Sequence, residues 1–376
     1  MPANALLGIV SPWSGGGTIV APVDRRTLKP GVPWAELGEY HDAWSMSPDR
    51  RLMAFGISAP GGNGRIGIRV LDLGTFQVVR DITTGIAAEA LGWIAPDRLA
   101  AFLQSGEVVV VDPRSGEELS REALGAISCP FAPPHAVTPL GFVMVVAVGG
   151  AARVVLVDAA GRVQILRLDD IFLGEAFGLC QSAGLAVDAA RLVAYVVGVD
   201  APVAEVDLRT MKVRRHRVTG APALTRSGCH ECGDQRSAVW LGGGRLAVAG
   251  STHRLRRDKR VRKTPVGVAV VDTRDWTART IARRAGAARL AGDRLLVYDG
   301  RHPAERPRAG AGLRAYDRSG RARFTVLGGE RVGDVQVAGA RAYARTNRGL
   351  RVLAMRTGRV IARLPRVRRD VDLLPR

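Results

Sequence analysis

The sequence predicts an all-β chain, a single closed β-propeller of four-stranded blades occupying residues 1–376. Three observations carry that expectation. A strand that ends in aspartate and enters a tight turn recurs along the chain. An arginine-led apolar strand recurs in phase with it, and no stretch shows helical periodicity.

The first repeat is clearest at Val108-Val109-Val110-Val111-Asp112, followed by Pro113-Arg114-Ser115-Gly116. β-Branched residues favour a pleated strand, the aspartate starts the turn and the glycine closes it. Related endings are Val70-Leu71-Asp72, Leu156-Val157-Asp158, Glu205-Val206-Asp207, Val270-Val271-Asp272 and Ala315-Tyr316-Asp317. Leu353-Ala354-Met355 is a copy without the acid, and Pro22-Val23-Asp24 reads as the first copy. The markers at 24, 72, 112, 158, 207, 272, 317 and 355 lie 48, 40, 46, 49, 65, 45 and 38 residues apart. Propeller blades repeat every ~40–50 residues.

The second repeat leads each blade's next strand: RLMAF from Arg51, RLAAF from Arg98, RLVAY from Arg191, RLAVA from Arg245, RLLVY from Arg294 and RAYAR from Arg341. Turns such as Ser47-Pro48-Asp49, Ala95-Pro96-Asp97 and Ala291-Gly292-Asp293 precede three of them. A short alternating segment upstream and another after each marker complete four strands, A to D. Eight blades follow if every marker counts, and seven if the Asp24 copy or the repeat at Gly141–Asp158 is discounted. The first repeat has no A strand ahead of it. Arg369-Asp370-Val371-Asp372-Leu373-Leu374 resembles the A strand of the last repeat, so it is expected to complete the N-terminal blade and remove two open edges.

The chain has 376 residues, 47% hydrophobic and 24% charged, which excludes a disordered protein and leaves ample material for a core. No run approaches the ~20 apolar residues of a membrane helix. The N-terminus lacks the pattern of a signal peptide and opens within a strand, Leu6–Val10, as a trimmed mature domain or a misplaced start would.

With its SPD-type turns, Arg-led strands and Val-x-Val-Asp-x-x-(Thr/Ser)-Gly endings, the chain resembles the bacterial YVTN and WD40-like β-propeller repeats. The Trp-Asp and Gly-His pairs of true WD40 blades are missing, as are the Trp-and-Gly docking motifs of quinoprotein dehydrogenases. The resemblance implies a binding platform and favours an extracytoplasmic location. It implies nothing about chemistry.

Function is therefore sought in the loops. B–C and D–A connections fall on one side of a blade, and here they are the long ones: Ala59–Arg65, Ser251–Pro265 and Gly300–Gly310, with Glu122–Ala136, Asp169–Ser182 and Val218–Arg236. Charge concentrates there too. Of the net +20, residues 1–200 hold 15 Lys+Arg against 20 Asp+Glu, leaving 40 against 15 in residues 201–376. The densest cluster, Arg254, Arg256, Arg257, Lys259, Arg260, Arg262 and Lys263, is expected to bind an anion. It lacks interleaved aromatics, so sequence-specific nucleic-acid recognition is not expected.

The even count of four cysteines fits disulfides in an exported protein, such as Cys129 with Cys180 and Cys229 with Cys232, or else free structural thiols; Cys229, His230 and Cys232, with His216, are weaker candidates for a metal. His41 and Asp42, at the start of an A strand, are the candidate catalytic pair, with Glu89, Asp334 and Asp370 at comparable positions. No P-loop, GxSxG or HExxH motif occurs, and no cofactor is expected. The reading is a monomeric, non-enzymatic binding module for an unidentified protein or polyanionic ligand. The alternative is a propeller hydrolase, lyase or oxidoreductase with a channel-mouth site at His41 and Asp42.

Overall fold

Strand after strand follows the two recurring signals, and their burial shows how each blade is used. The computed structural model describes residues 5–12, 17–58, 67–128, 133–176, 179–225, 232–257, 261–300, 310–364 and 369–374. Blade 1 holds β1 (Ala5–Pro12), β2 (Thr18–Asp24) and the first part of β3 (Ala35–Met46); the last part of β3 opens blade 2, followed by β4 (Leu52–Ser58), β5 (Ile68–Asp72) and β6 (Val78–Ile82). Blade 3 is β7 (Ala88–Ala95), β8 (Arg98–Leu103), β9 (Glu107–Val111) and β10 (Glu118–Ala123). Blade 4 is β11 (His135–Thr138), β12 (Gly141–Val148), β13 (Ala151–Asp158) and β14 (Val163–Phe172), after which β15 (Glu175–Ala176) and β16 (Leu179–Cys180) form a small hairpin.

Blade 5 is β17 (Gly184–Asp188), β18 (Val193–Val197), β19 (Val203–Asp207) and β20 (Lys212–His216). Blade 6 is β21 (Cys232–Gly242), β22 (Arg245–Leu255), β23 (Val261–Asp272) and β24 (Thr277–Ala282). Blade 7 is β25 (Ala287–Ala291), β26 (Arg294–Tyr298), β27 (Leu313–Asp317) and β28 (Ala322–Val326). Blade 8 is β29 (Val332–Ala338), β30 (Arg341–Thr346), β31 (Gly349–Ala354) and β32 (Val360–Leu364). Finally β33 (Arg369–Leu374) pairs antiparallel with β1, in register from Leu7↔Leu374 to Pro12↔Arg369, and supplies the A strand that blade 1 lacks. The fold is an eight-bladed β-propeller, and both doubtful repeats are real blades.

Within a blade, the middle strands bury both faces and the D strand faces water: β12 is buried throughout, β10 exposed throughout. The repeat aspartates cap the C–D turns. The Asp72 carboxylate accepts the N–H groups of Gly74 (2.7 Å) and Thr75 (2.9 Å), and that of Asp112 accepts those of Arg114 (2.7 Å) and Ser115 (3.0 Å). Asp24, Asp158, Asp207, Asp272 and Asp317 do the same. Their recurrence is thus explained by turn geometry alone.

Contacts divide the chain into two compact units, residues 1–144, 155–165 and 367–376 in one and residues 145–154 and 166–366 in the other. The first unit's core gathers Leu7, Ile9, Val20, Leu37, Met53, Phe55 and, from the C-terminal strand, Leu374. In the same unit Gly92 leaves room for the Phe142 ring, which would stand 2.1 Å from a Cβ at that position. The second unit's core has an aromatic stack, Tyr195 on Trp240 at 5.2 Å, with Trp276 tilted against Tyr195.

Candidate functional site

Blade 6 departs from its neighbours. Its β21, β22 and β23 run 11, 11 and 12 residues, where β18, β19, β26 and β27 each run 5. The expected Ser251–Pro265 loop is largely a ladder instead. Ser251↔Pro265, Thr252↔Thr264, His253↔Lys263, Arg254↔Arg262 and Leu255↔Val261 pair across β22 and β23, while Cys232 to Gln235 pair with Arg254 to Ser251 on the other side. At ~3.3 Å per residue, those five pairs project a three-stranded finger about 16 Å beyond the ordinary blade. Lysine is depleted in strands, yet the finger pairs, with Thr252 opposite Thr264 and His253 opposite Lys263.

A buried ionic knot holds the finger's base. The Asp234 and Arg236 side chains are 2% and 0% exposed and 3.8 Å apart. The Thr252 hydroxyl donates to Asp234 (2.6 Å), and the Arg236 guanidinium donates to the carbonyls of Gln235 (2.9 Å) and Thr225 (2.8 Å). Ser182 flanks the same strand, donating its N–H to the Asp234 carbonyl (3.2 Å) and accepting that of Arg236 (2.9 Å). Burial pushes the Arg236 guanidinium pKa down, opposed by Asp234. Nearby, burial and then the Lys263 ammonium push His253 down to about 4, so its ring is neutral at pH 7, beside the Ser251 hydroxyl (3.1 Å).

Beside the finger's base opens a cavity of about 930 Å³ between the sheets of blades 6 and 7. Thr264 and Pro265 of the finger form part of its wall, and Arg283, Arg284, Arg314 and Arg331 are among its other lining residues. Arg283, Arg284 and Arg314 are exposed, whereas Arg331 is buried. Among the described lining residues the one acid, Asp299, is also buried, and its carboxylate accepts the N–H groups of Ala311 (3.0 Å) and Val332 (3.0 Å). It ties the rim together. Gly312, at φ +73°, turns the chain from that rim into β27. Among the described residues, three exposed arginines and one carboxylate already hydrogen-bonded make a concave site suited to an anion with several oxygens.

Of the expected anion-binding residues, Arg254 lies on β22, Arg262 and Lys263 on β23, and Arg256 and Arg257 just past β22; Lys259 and Arg260 lie outside the described residues. Arg254, Arg256, Arg257 and Arg262 are exposed, and among the described residues none of them forms an ion pair. His41 and Asp42 fall on β3, where the pairing with β4 shifts register between Tyr40 and Trp44; their side chains lie outside the described set. Glu89 is buried on β7, and Asp334 accepts a hydrogen bond from Gln336 (3.1 Å).

Cys180 is disulfide-bonded. Cys129, Cys229 and His230 lie outside the described residues, and Cys232 begins β21. His216 is engaged elsewhere, stacked on Trp276 at 3.7 Å with its Nε2 3.0 Å from the Glu205 carboxylate. Among the described residues no three of His, Cys, Asp and Glu converge as a metal would require. The cavity was beyond sequence reasoning because its lining spans 264 to 331; the arginine excess after residue 200 was its only trace.

No family model matches the chain, and no curated protein matches it. Solved structures do. The dihydro-heme d1 dehydrogenase NirN in complex with DHE is 15% identical over 98% of this chain and 75% of its own, with a TM-score of 0.61. BamB from Moraxella catarrhalis is 13% identical over 91% and 94%, TM-score 0.55, and apo AztD from Citrobacter koseri 11% over 96% and 95%, TM-score 0.51. These are β-propeller, WD40-like proteins, and at such identities the likeness is one of fold.

Proposed function

We propose that the protein is a non-enzymatic binding module that takes an anionic ligand on the B–C side of blades 6 and 7. One observation supports this above the rest: three exposed arginines, Arg283, Arg284 and Arg314, line a 930 Å³ cavity where, among the described residues, the one carboxylate is already committed to two backbone N–H groups. Bidentate guanidinium contacts suit carboxylate or phosphate oxygens, and partial enclosure strengthens them over an exposed patch. The module works as a monomer, and the ligand is either a small polyanion or an acidic portion of a larger partner.

Calorimetric titration with inorganic pyrophosphate and with citrate tests the reading. Saturable binding is expected, reduced about 30-fold or more in Arg283→Glu/Arg314→Glu, since each charge-assisted contact contributes ~1.5–3 kcal/mol. Absence of binding to both anions, or unchanged binding by the variant, would refute it.

A further inference from the structure

The finger carries a surface the cavity does not need. Residues 251–265 include seven Lys or Arg and one Asp. Strand alternation puts Arg254 and Arg262, directly opposed, on one face, and Leu255 and Val261 with His253 and Lys263 on the other. Like charges set directly across a strand pair oppose each other, so the sheet gains nothing from Arg254 facing Arg262. Their hydrogen-bonding capacity is turned outward, and Arg256 and Arg257 extend it.

At the far end of the ladder, Leu255 and Val261 form its last cross-strand pair, 40% and 45% exposed. An exposed apolar pair flanked by cations, Arg254 and Arg262 on one side and Arg256 and Arg257 on the other, is the chemistry of a bilayer interface, where alkyl groups enter the acyl boundary and cations meet headgroup phosphates. A soluble polyanion would engage the cations and leave the apolar pair in water. The Asp234–Arg236–Thr252 knot fixes the finger's base, so it meets a surface already ordered and loses little conformational entropy on docking.

We infer that the blade 6 finger docks the protein on an anionic lipid bilayer, with Leu255 and Val261 entering the interface and Arg254, Arg256, Arg257 and Arg262 contacting headgroup phosphates. Co-sedimentation of the full chain with vesicles of phosphatidylglycerol and phosphatidylcholine, against vesicles of phosphatidylcholine alone, tests it. The anionic vesicles bind the protein and the neutral ones do not. Arg254→Glu/Arg262→Glu lowers binding about tenfold or more. Leu255→Ser/Val261→Ser, exposed changes that leave the fold intact, lowers it several-fold.

Failure to bind anionic vesicles overturns the inference. So does wild-type binding by the Leu255→Ser/Val261→Ser variant, and competition by soluble polyphosphate that this variant retains in full would assign the finger to a soluble polyanion. Arg283→Glu/Arg314→Glu, in the cavity, leaves vesicle binding unchanged, which separates this inference from the cavity reading.

Discussion

Truncating Leu374 tests how the C-terminal strand is held. Its side chain is 3% exposed and packs with Leu7, Ile9, Val20 and Phe55 at the seam between β33 and blade 1. Leu374→Ala removes three buried carbons, about 2.4 kcal/mol at ~0.8 kcal/mol per methylene. The cavity left behind adds to that, and Leu→Ala changes in cores cost ~2–5 kcal/mol. Leu374 ends its strand, where neighbours can relax, so we expect about 3 kcal/mol. Against a total stability of ~5–15 kcal/mol that is a large share. Urea unfolding followed by tryptophan fluorescence and circular dichroism measures it. Ile361→Ala, on the exposed side of β32 with 40% exposure, is the control and should shift stability by under ~0.5 kcal/mol. A Leu374→Ala protein as stable as the control would show that β33 contributes no packed strand to blade 1.

Other changes have equally direct readouts. Gly92→Ala would place a Cβ 2.1 Å from the Phe142 ring, and overpacking of this kind costs ~1–3 kcal/mol, read as a lower urea midpoint. Asp234→Ala strands the Arg236 guanidinium in the interior and should cost ~3–5 kcal/mol, with proteolytic cleavage appearing near the finger's base. Acid should weaken the turns. The Arg274 guanidinium and backbone N–H hold Asp272 at about 2, and at Asp317 burial is outweighed by Ser319 and the Arg321 N–H, again giving about 2. Asp24, Asp72 and Asp158 are also lowered. A carboxylate whose folded pKa lies below its unfolded value stabilises the fold above ~pH 4 and loses that contribution as pH falls toward 2. The urea midpoint should therefore drop between pH 4 and pH 2, and less so in Asp272→Asn.

The blades were legible because their signals are local. An aspartate two residues before the N–H it caps, or an arginine-led apolar strand after a turn, needs no distant partner to be recognised. Val371-Asp372-Leu373-Leu374 could be placed because a propeller blade missing its A strand leaves one vacancy, and the register of Leu374 with Leu7 fills it.

In the sequence the finger reads as a loop, since its charge density lowers β propensity and the Asp234 carboxylate that Thr252 bonds lies 18 residues before it. Burial of the Asp234–Arg236 pair leaves no mark in composition. The cavity was hidden for the same reason, built by β23, β24, β26 and β27 from residues that no motif links.

The central claim is that an anion occupies the cavity between blades 6 and 7. Amide hydrogen exchange with and without inorganic pyrophosphate addresses it most directly. The account predicts slowed exchange at Thr280–Ala285 and Gly310–Arg314, with the blade 3 strands unchanged. Slowing confined to other blades, or none at saturating pyrophosphate, would contradict it.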